Sequence, residues 1–390
     1  MPQASNNDAS KSHFVLGYRP PLDGVRGFAL VMIMIFHGSL NTLHGEAIPG
    51  AFISVDMFFA LSGFLITTLL AQEFLREDRI DLRAFYIRRG LRLLPALVVF
   101  LAVMLIANEL GAFGEALHSV RVQSLWTALY VENWHQVWSP TLEFSLSPMT
   151  HAWTLSVEEQ FYLVWPLLLW GLLSLRRSPR VTIGIVLAGA MASAALMAIL
   201  GAGNTIDFHS LYGTEARAHG LLFGSALGLA AAFDLLPRTA VWWAKVIGAL
   251  GALYFIAGFV LFDATDPANT RGVYFGAGLA TTAIIFSAVT VSGGVLARIL
   301  GSRPLVAAGR VSYGGYLWHL PVVYVLTEQR VGLSFWPLLV LRFIATFTLA
   351  VISFKIIESP ALKLKRRFER RADADSQSQV VVAPGVTAAP

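Results

Sequence analysis

Residues 51–72 read AFISVDMFFALSGFLITTLLAQ, and this run decides the class of fold. It contains one charged side chain, Asp56, among residues that are mostly apolar. About 20 helical residues are enough to cross the hydrocarbon core of a bilayer, so a run of this length is typical of a transmembrane helix. The run therefore predicts a membrane-spanning helix that holds a carboxylate inside it.

Similar runs recur along the whole chain. Of its 390 residues, 56% are hydrophobic and 14% are charged, whereas a soluble domain carries about 25% charged residues. The alternative, a soluble protein with buried core helices, would not show so many such runs at regular intervals between polar segments. We therefore predict an all-α integral membrane bundle of about ten transmembrane helices. The predicted spans are 27–43, 51–72, 93–110, 152–175, 181–200, 216–233, 241–262, 273–292, 312–328 and 336–357.

The distribution of basic residues predicts the orientation of the bundle. Twenty-four of the 29 Lys and Arg residues lie in the two terminal segments, in every second connection between the predicted spans, or at the span ends next to them. Cytoplasmic loops carry such an excess, so both termini are predicted to be cytoplasmic. The first apolar run has no signal-peptide cleavage site, and the predicted location is the plasma (inner) membrane, with several passes. The predicted organisation is a cytoplasmic segment 1–24, a membrane-embedded domain 25–358, and a basic, then disordered cytoplasmic tail 359–390.

The chain has no cysteine. Disulfides, thiolate metal sites and a cysteine nucleophile are therefore excluded. The sequence predicts no metal site and no nucleic-acid partner.

Arg26 and His37 lie eleven residues apart at the first predicted span. This separation corresponds to about 16 Å along a helix, which places Arg26 near the cytoplasmic edge and His37 towards the outer half. Neutral imidazole accepts a proton from a hydroxyl near pH 7, and Asp56 of the next span lies at a similar depth. We predict that His37 is a general base bonded by Asp56. The alternatives are a histidine that only packs and a carboxylate that only caps its helix.

The segment HAWTLSVEEQ opens the fourth predicted span from the outer side. Glu158 and Glu159 are adjacent, so their side chains point about 100° apart on a helix, and at most one of them faces a given partner. Both are candidate catalytic residues, and a structural ion pair with arginine is the alternative. The candidate acceptor-binding or supporting residues of this segment are His151, Trp153 and Ser156.

A further histidine lies in GRVSYGGYLWHLPV, which enters the membrane from the cytoplasmic side. Tyr316 and His319 are candidate supporting residues, and the alternative is an aromatic packing belt with one buried histidine. Arg217, at the outer start of the sixth span, is placed either to bind an acceptor or to pair with Glu158 or Glu159.

An arginine cluster lies in FYIRRGLRLLP, at the cytoplasmic start of the third predicted span. Arg89 and Arg92 are three residues apart and share one helix face, with Arg88 beside them. The cluster contributes to the orientation signal. Arginine also binds phosphate through paired N–H groups, so the cluster is a candidate site for the phosphates of coenzyme A.

In this order, these segments resemble acyltransferase family 3, the membrane acyltransferases that include O-antigen, exopolysaccharide and macrolide acylases. The resemblance covers about residues 19–357. Its signatures are the Arg26-to-His37 spacing, VDMFFALSGFL around Asp56, RRGLRLLP, HAWTLSVEEQFYLVWP, TEARAHGLLFGSALG with Arg217, and SYGGYLWHLP. Each signature alone is weak, and together in order they are highly specific.

The resemblance implies an enzyme that moves an acyl group, most simply acetyl, from cytoplasmic acyl-CoA to a hydroxyl of a carbohydrate, glycolipid or other small acceptor. It implies that His37 is the catalytic base and that Arg26, Arg89 and Arg92 are essential, and Arg26 joins the arginine cluster as a candidate acyl-CoA-binding residue. Acyl-CoA is then a substrate, and no cofactor is bound permanently. Some members carry an additional extracytoplasmic hydrolase-like domain. The expected partners are membrane lipid, the donor and the acceptor. The membrane domain either finishes the transfer itself or passes the acyl group to a separate extracytoplasmic protein.

Two alternatives stay open at this point. His37 either deprotonates the acceptor hydroxyl or forms an acyl-histidine intermediate. The competing function is a proton-coupled transporter or a lipid or glycan flippase, in which intramembrane His, Asp and Glu form a proton relay. Transporters often show repeated halves, and the sequence shows no convincing repeat.

Overall fold

The computed structural model describes residues 14, 16–39, 47–113, 117–139, 147–237, 242–291 and 293–363, and within these ranges the chain forms helices and no β-strand. The helices are α1 (Pro20–Ser39), α2 (Val55–Glu77), α3 (Leu82–Glu109), α4 (Leu117–Ala128), α5 (Glu132–Trp138), α6 (Ala152–Ser174), α7 (Pro179–Leu200), α8 (Phe208–Tyr212), α9 (Thr214–Ala232), α10 (Trp242–Leu261), α11 (Val273–Thr290), α12 (Val295–Leu300), α13 (Arg303–Arg310), α14 (Ser312–Val325), α15 (Glu328–Val331) and α16 (Phe335–Ser353). Turns of 3-10 helix precede α2 and α11, at Pro49–Ser54 and Pro267–Arg271, and a π-helical turn, Phe354–Glu358, extends α16. Most of the two predicted terminal segments lies outside the described residues.

Seven helical segments of the described chain are long and apolar enough to cross a membrane. They are Pro20–Ser39, Pro49–Glu77, Leu82–Glu109, Pro179–Leu200, Trp242–Leu261, Val273–Thr290 and Phe335–Lys363. The prediction of an all-helical chain with several membrane-crossing helices is confirmed. Each of the ten predicted spans overlaps a helix, but α6, α9 and α14 are not among the seven segments, and α14 has only 14 residues. The count of ten spans and the cytoplasmic termini therefore stay predictions.

The helices form an inner and an outer group. In the most apolar stretch of α2, 78% of the residues are buried, whereas the figure for α7 is 22%. By the same measure α1 and α11 belong to the inner group, and α3, α10 and α16 belong to the outer group. The outer helices expose many large apolar side chains, and such faces require lipid rather than water.

Glycines bring α2 and α9 into close contact. A Cβ at Gly63 of α2 would lie 1.9 Å from the backbone oxygen of Leu221, and a Cβ at Gly224 of α9 would lie 1.8 Å from that of Ala60. Only glycine permits helices to approach so closely. The two helices run parallel, so their first turns, which carry Asp56 and Arg217, lie side by side.

Two elements differ from the sequence prediction. α3 begins well before residue 93, because the side chain of Asp81 accepts a hydrogen bond from the backbone N–H of Ala84 at 2.8 Å and caps the helix. The arginine cluster therefore lies inside α3 rather than at its start. The segment 111–150, which the sequence predicts as a loop, contains α4 and α5.

Candidate active site

α1 and α14 bring two histidines into direct contact. Nδ1 of His37 lies 2.8 Å from Nε2 of His319, and the rings are stacked with centroids 5.0 Å apart and an interplanar angle of 21°. His37 is half-buried in the last turn of α1, whereas His319 is 1% exposed in the middle of α14. The prediction that Asp56 bonds His37 is therefore wrong, since the hydrogen bond of His37 goes to a second histidine.

When His37 and His319 are both neutral, their hydrogen bonds decide which nitrogen of each ring carries the proton. Nδ1 of His319 lies 2.6 Å from the backbone oxygen of Tyr316, and because a carbonyl oxygen only accepts, this nitrogen carries the proton. Nε2 of His319 is then an acceptor, so Nδ1 of His37 donates to it. Nε2 of His37 is left unprotonated and makes no hydrogen bond to a described residue. Through this nitrogen His37 can accept a proton.

His37 lies in the wall of a cavity of about 250 Å³ at the end of the bundle where α2, α6 and α9 begin. We call it the outer cavity. The site residues in its wall are His37, His151, Trp153, Arg217 and Tyr316. His151 is 2% exposed, and neither of its ring nitrogens has a hydrogen-bond partner within the described ranges. A buried imidazole without hydrogen-bond partners is costly.

Asp56 and Arg217 form a buried ion pair beside the outer cavity. Nη2 of Arg217 lies 3.1 Å from each carboxylate oxygen of Asp56, and the two side chains are 1% and 0% exposed. The guanidinium also lies over the ring of Tyr274, 4.1 Å from its centroid. The suggested pairing of Arg217 with a glutamate of α6 is therefore wrong. The observed pair compensates two buried charges and joins the first turns of α2 and α9.

A second cavity, of about 410 Å³, lies at the end of the bundle where α1, α3 and α14 begin. We call it the inner cavity. Three of the predicted donor-binding residues line it, namely Arg26, Arg89 and Arg92. Arg26 donates to Asp23 at 3.2 Å, whereas Arg92 forms no hydrogen bond or ion pair with the described part of the chain. The inner cavity therefore offers unpaired positive charge to an anionic ligand.

The three arginines of the cluster have different surroundings, because some pair with glutamates and one lies unpaired in the wall of the inner cavity. Arg89 donates to both oxygens of Glu159 at distances of 2.5–3.1 Å and stacks on Tyr162, 3.1 Å from the ring centroid. Arg88 lies 4.0 Å from a glutamate of α2 and is not part of the wall of the inner cavity. Of the three, only Arg92 is thus both in the wall and unpaired.

The two glutamates of α6 have different partners, as their adjacency predicts. Glu159 pairs with Arg89, whereas Glu158 accepts a hydrogen bond from Ser62 of α2 at 2.8 Å and faces the inner cavity. Ser156 belongs to neither cavity wall. Its hydroxyl accepts a hydrogen bond from the first backbone N–H of α5 at 3.1 Å, so it supports the helices around the site.

Tyr316 of α14 belongs to the walls of both cavities. Its hydroxyl donates to the backbone oxygen of His151 at 2.7 Å and contacts the hydroxyl of Thr154. These contacts hold the ring against the start of α6. A cavity with unpaired positive charge and a cavity with a free imidazole nitrogen therefore approach each other at one tyrosine.

Sequence reasoning missed three residues of this arrangement, namely Tyr162, Tyr274 and Arg342. The two tyrosines lie under the guanidinium groups of Arg89 and Arg217, and an aromatic residue in an apolar helix carries no signal that separates this role from packing. Arg342 does carry a signal, because it is an ionisable residue inside a predicted span.

The fold and the site define a class of protein: a helical membrane protein with a hydrogen-bonded histidine pair beside two cavities. The chain belongs to the family of the acyltransferase domain, whose family model matches residues 20–355. The resemblance to acyltransferase family 3 is thereby confirmed.

The names of similar proteins agree with this assignment. The peptidoglycan O-acetyltransferase OatA of Listeria monocytogenes is 32% identical over 356 residues, which cover 89% of this chain and 56% of the relative. The putative peptidoglycan O-acetyltransferase YrhL of Bacillus subtilis is 33% identical over 88% of this chain and 55% of the relative. The O-acetyltransferase OatA of Staphylococcus aureus is 32% identical over 89% and 57%. The chain thus spans a little over half the length of these relatives. No solved structure matches it.

Proposed function

We propose that this enzyme transfers an acetyl group from cytoplasmic acetyl-CoA to a hydroxyl of a carbohydrate or glycolipid of the cell envelope, while embedded in the lipid of the plasma membrane. The observation that carries the proposal is the meeting of two cavities at Tyr316, with Nε2 of His37 unpaired in the wall of one and Arg92 unpaired in the wall of the other. We infer the acetyl group and the carbohydrate acceptor from the names of the relatives, which are peptidoglycan O-acetyltransferases.

The inner cavity suits the donor. Acetyl-CoA carries phosphates at one end and the thioester at the other, joined by a narrow arm. Arg92 and Arg26 offer N–H groups that match phosphate, and Phe58 and Leu65 provide apolar wall for the arm. With the phosphates at the arginines, the thioester points towards Tyr316 and the histidine pair.

The outer cavity suits a sugar. Its wall contains the aromatic rings of Trp153, Tyr212 and Tyr274. The apolar face of a sugar can pack against such rings, and their polar groups can bond its hydroxyls. We propose that His151 bonds a sugar hydroxyl, since it lies in the same wall and its ring nitrogens have no partner among the described residues. A neighbouring hydroxyl then lies within reach of Nε2 of His37.

The reaction that follows is base-assisted acyl transfer. Nε2 of His37 takes the proton of the acceptor hydroxyl as the oxygen attacks the thioester carbon. Collapse of the tetrahedral intermediate breaks the C–S bond, and the imidazolium returns the proton to the leaving thiolate, so the products are the acetyl ester and CoA. His319 accepts the Nδ1–H of His37 throughout, which fixes the tautomer and stabilises the imidazolium.

The test uses purified protein in lipid nanodiscs, acetyl-CoA with a labelled acetyl group, and an N-acetylhexosamine oligosaccharide. Because the chain has no cysteine, a thiol reagent measures the released CoA without a signal from the protein. We expect CoA release, label in an alkali-labile ester, and a loss of at least about a hundred-fold in His37→Gln, the size of a general-base contribution. His209→Gln is the matched control, because His209 pairs with Glu215 outside both cavity walls, and it should keep full activity.

Three other outcomes are informative. CoA release without labelled sugar would favour a different acceptor, including a separate extracytoplasmic protein. Absence of CoA release from the wild type, or equal release from His37→Gln, would contradict the proposal. Solute flux across sealed proteoliposomes, without CoA release, would favour the transporter or flippase.

A further inference from the structure

Arg342 of α16 is a buried cation that bonds no carboxylate in the described part of the chain. It is 5% exposed, and its hydrogen bonds go to backbone oxygens. The acceptors are Leu326 (from Nε, 2.9 Å), Gly38 (from Nη1, 2.6 Å) and Val323 (from Nη2, 3.4 Å). Burial of a charge is costly unless its donors are satisfied, and here the backbone oxygens satisfy the donors of Arg342.

The three oxygens belong to the ends of two helices. Gly38 lies in the last turn of α1, Val323 lies in the last turn of α14, and Leu326 directly follows α14. The last C=O groups of a helix have no partner within it and carry partial negative charge. One guanidinium thus satisfies acceptors of both helices and holds together two ends of like charge.

These two helices carry the histidine pair. His37 directly precedes Gly38, and His319 lies four residues, or about one turn, before Val323. The separation of the two helix ends therefore controls the 2.8 Å hydrogen bond between the rings.

We infer that Arg342 is a positioning residue, which fixes α1 against α14 so that Nδ1 of His37 donates to His319 and Nε2 of His37 stays unprotonated at the outer cavity. The kinetic consequence rests on the proposed function. Lysine is a poor replacement, because one ammonium group on a flexible stem does not reproduce a planar fork that reaches three oxygens. The simpler alternative is that Arg342 only stabilises the fold.

A double-mutant cycle separates the two roles. In the acetyl-transfer assay, Arg342→Lys should lower kcat about ten- to a hundred-fold, as a small displacement of a reacting group does, with an unchanged KM for acetyl-CoA. In a His319→Ala background, where the histidine bond is already absent, the same change should lower kcat by less than about two-fold. Arg271→Lys is the matched control, because Arg271 also donates to backbone oxygens, those of Gly201 and Gly203, outside both cavity walls. It should leave kcat unchanged.

A second readout is independent of turnover. The ¹⁵N chemical shifts of the histidine ring nitrogens, assigned with the help of His37→Gln, report which nitrogen carries the proton. We expect a single Nδ1-protonated form of His37 in the wild type and a mixture of tautomers in Arg342→Lys, with folding checked by thermal melting. Unchanged shifts in Arg342→Lys would overturn the inference, as would an equal loss of kcat in both backgrounds. A wild-type protein that releases no CoA would instead overturn the proposed function, and the shifts alone would then decide the role of Arg342.

Discussion

Arg89 and Arg92 lie three residues apart in α3, yet their surroundings give them different properties. Arg89 is engaged by Glu159 and Tyr162, whereas Arg92 forms no bond to any residue that the structure describes. A paired arginine contributes to the structure, and an unpaired one in a cavity wall is available to a phosphate. In the sequence nothing distinguishes the two arginines. Their roles differ in the structure because residues of α6 pair with Arg89 and not with Arg92.

We therefore expect lysine to have different effects at the two positions. Arg92→Lys should weaken the binding of acetyl-CoA about ten- to a hundred-fold, since a hydrogen bond to a charged group contributes about 1.5–3 kcal/mol, and should leave the melting temperature unchanged. Arg89→Lys should lower the melting temperature with a smaller effect on this affinity, because lysine does not hold both carboxylate oxygens of Glu159.

Titration with a non-hydrolysable acetyl-CoA analogue and thermal melting of both variants measure this difference. Arg83→Lys, at an exposed position in the first turn of α3, is the control and should match the wild type in both. An equal change of affinity in the variants of Arg89 and Arg92 would show that the division of roles is wrong.

The sequence indicated most of the chemically important residues but not their partners. His37, Asp56 and Arg217 are all visible as polar groups in apolar runs, and depth along a helix suggested which of them could meet. Depth fixes the height of a side chain in the membrane and leaves its direction around the helix axis open. Tertiary packing decides that direction, so Asp56 pairs with Arg217 and His37 pairs with His319.

Most helices could be predicted at the scale of the element, because a long apolar run determines where a chain crosses the bilayer. The same rule misplaced the start of α3, since the apolar run begins after the arginine cluster while the helix begins at the cap supplied by Asp81. It also missed α4 and α5, because short helices outside the spans lack such a run.

The close packing of α2 against α9 gives a prediction about stability. Gly224→Ala should lower the melting temperature strongly, because the new Cβ would lie 1.8 Å from the backbone oxygen of Ala60, and a backbone atom cannot turn aside as a side chain can. The expected destabilisation is at least about 1–3 kcal/mol, the range for overpacking. The measurement is thermal melting of the purified variant in detergent.

Gly184→Ala is the matched control for Gly224→Ala. Gly184 lies in α7, and a Cβ there would have no neighbour within 4 Å. Alanine should therefore be neutral or stabilise the helix by about 0.5–1 kcal/mol. If both variants melted at the same temperature, the close approach of α2 and α9 would not limit stability.

The two cavities lie at opposite ends of the helical bundle. The inner cavity lies where α1, α3 and α14 begin, and the outer cavity lies where α2, α6 and α9 begin. The basic residues predict that the first end faces the cytoplasm. We therefore expect a soluble CoA thioester and an envelope sugar to reach the same histidine from opposite sides of the membrane.

Sealed proteoliposomes with uniformly oriented enzyme test this claim directly, because acetyl-CoA and an N-acetylhexosamine oligosaccharide are both too polar to cross the bilayer. A protease-accessible N-terminal tag reports the orientation. We predict that labelled acetyl reaches the sugar only when acetyl-CoA is on the side of the N-terminus and the sugar is on the opposite side. Transfer with both substrates on one side, and none with the substrates separated, would contradict the account.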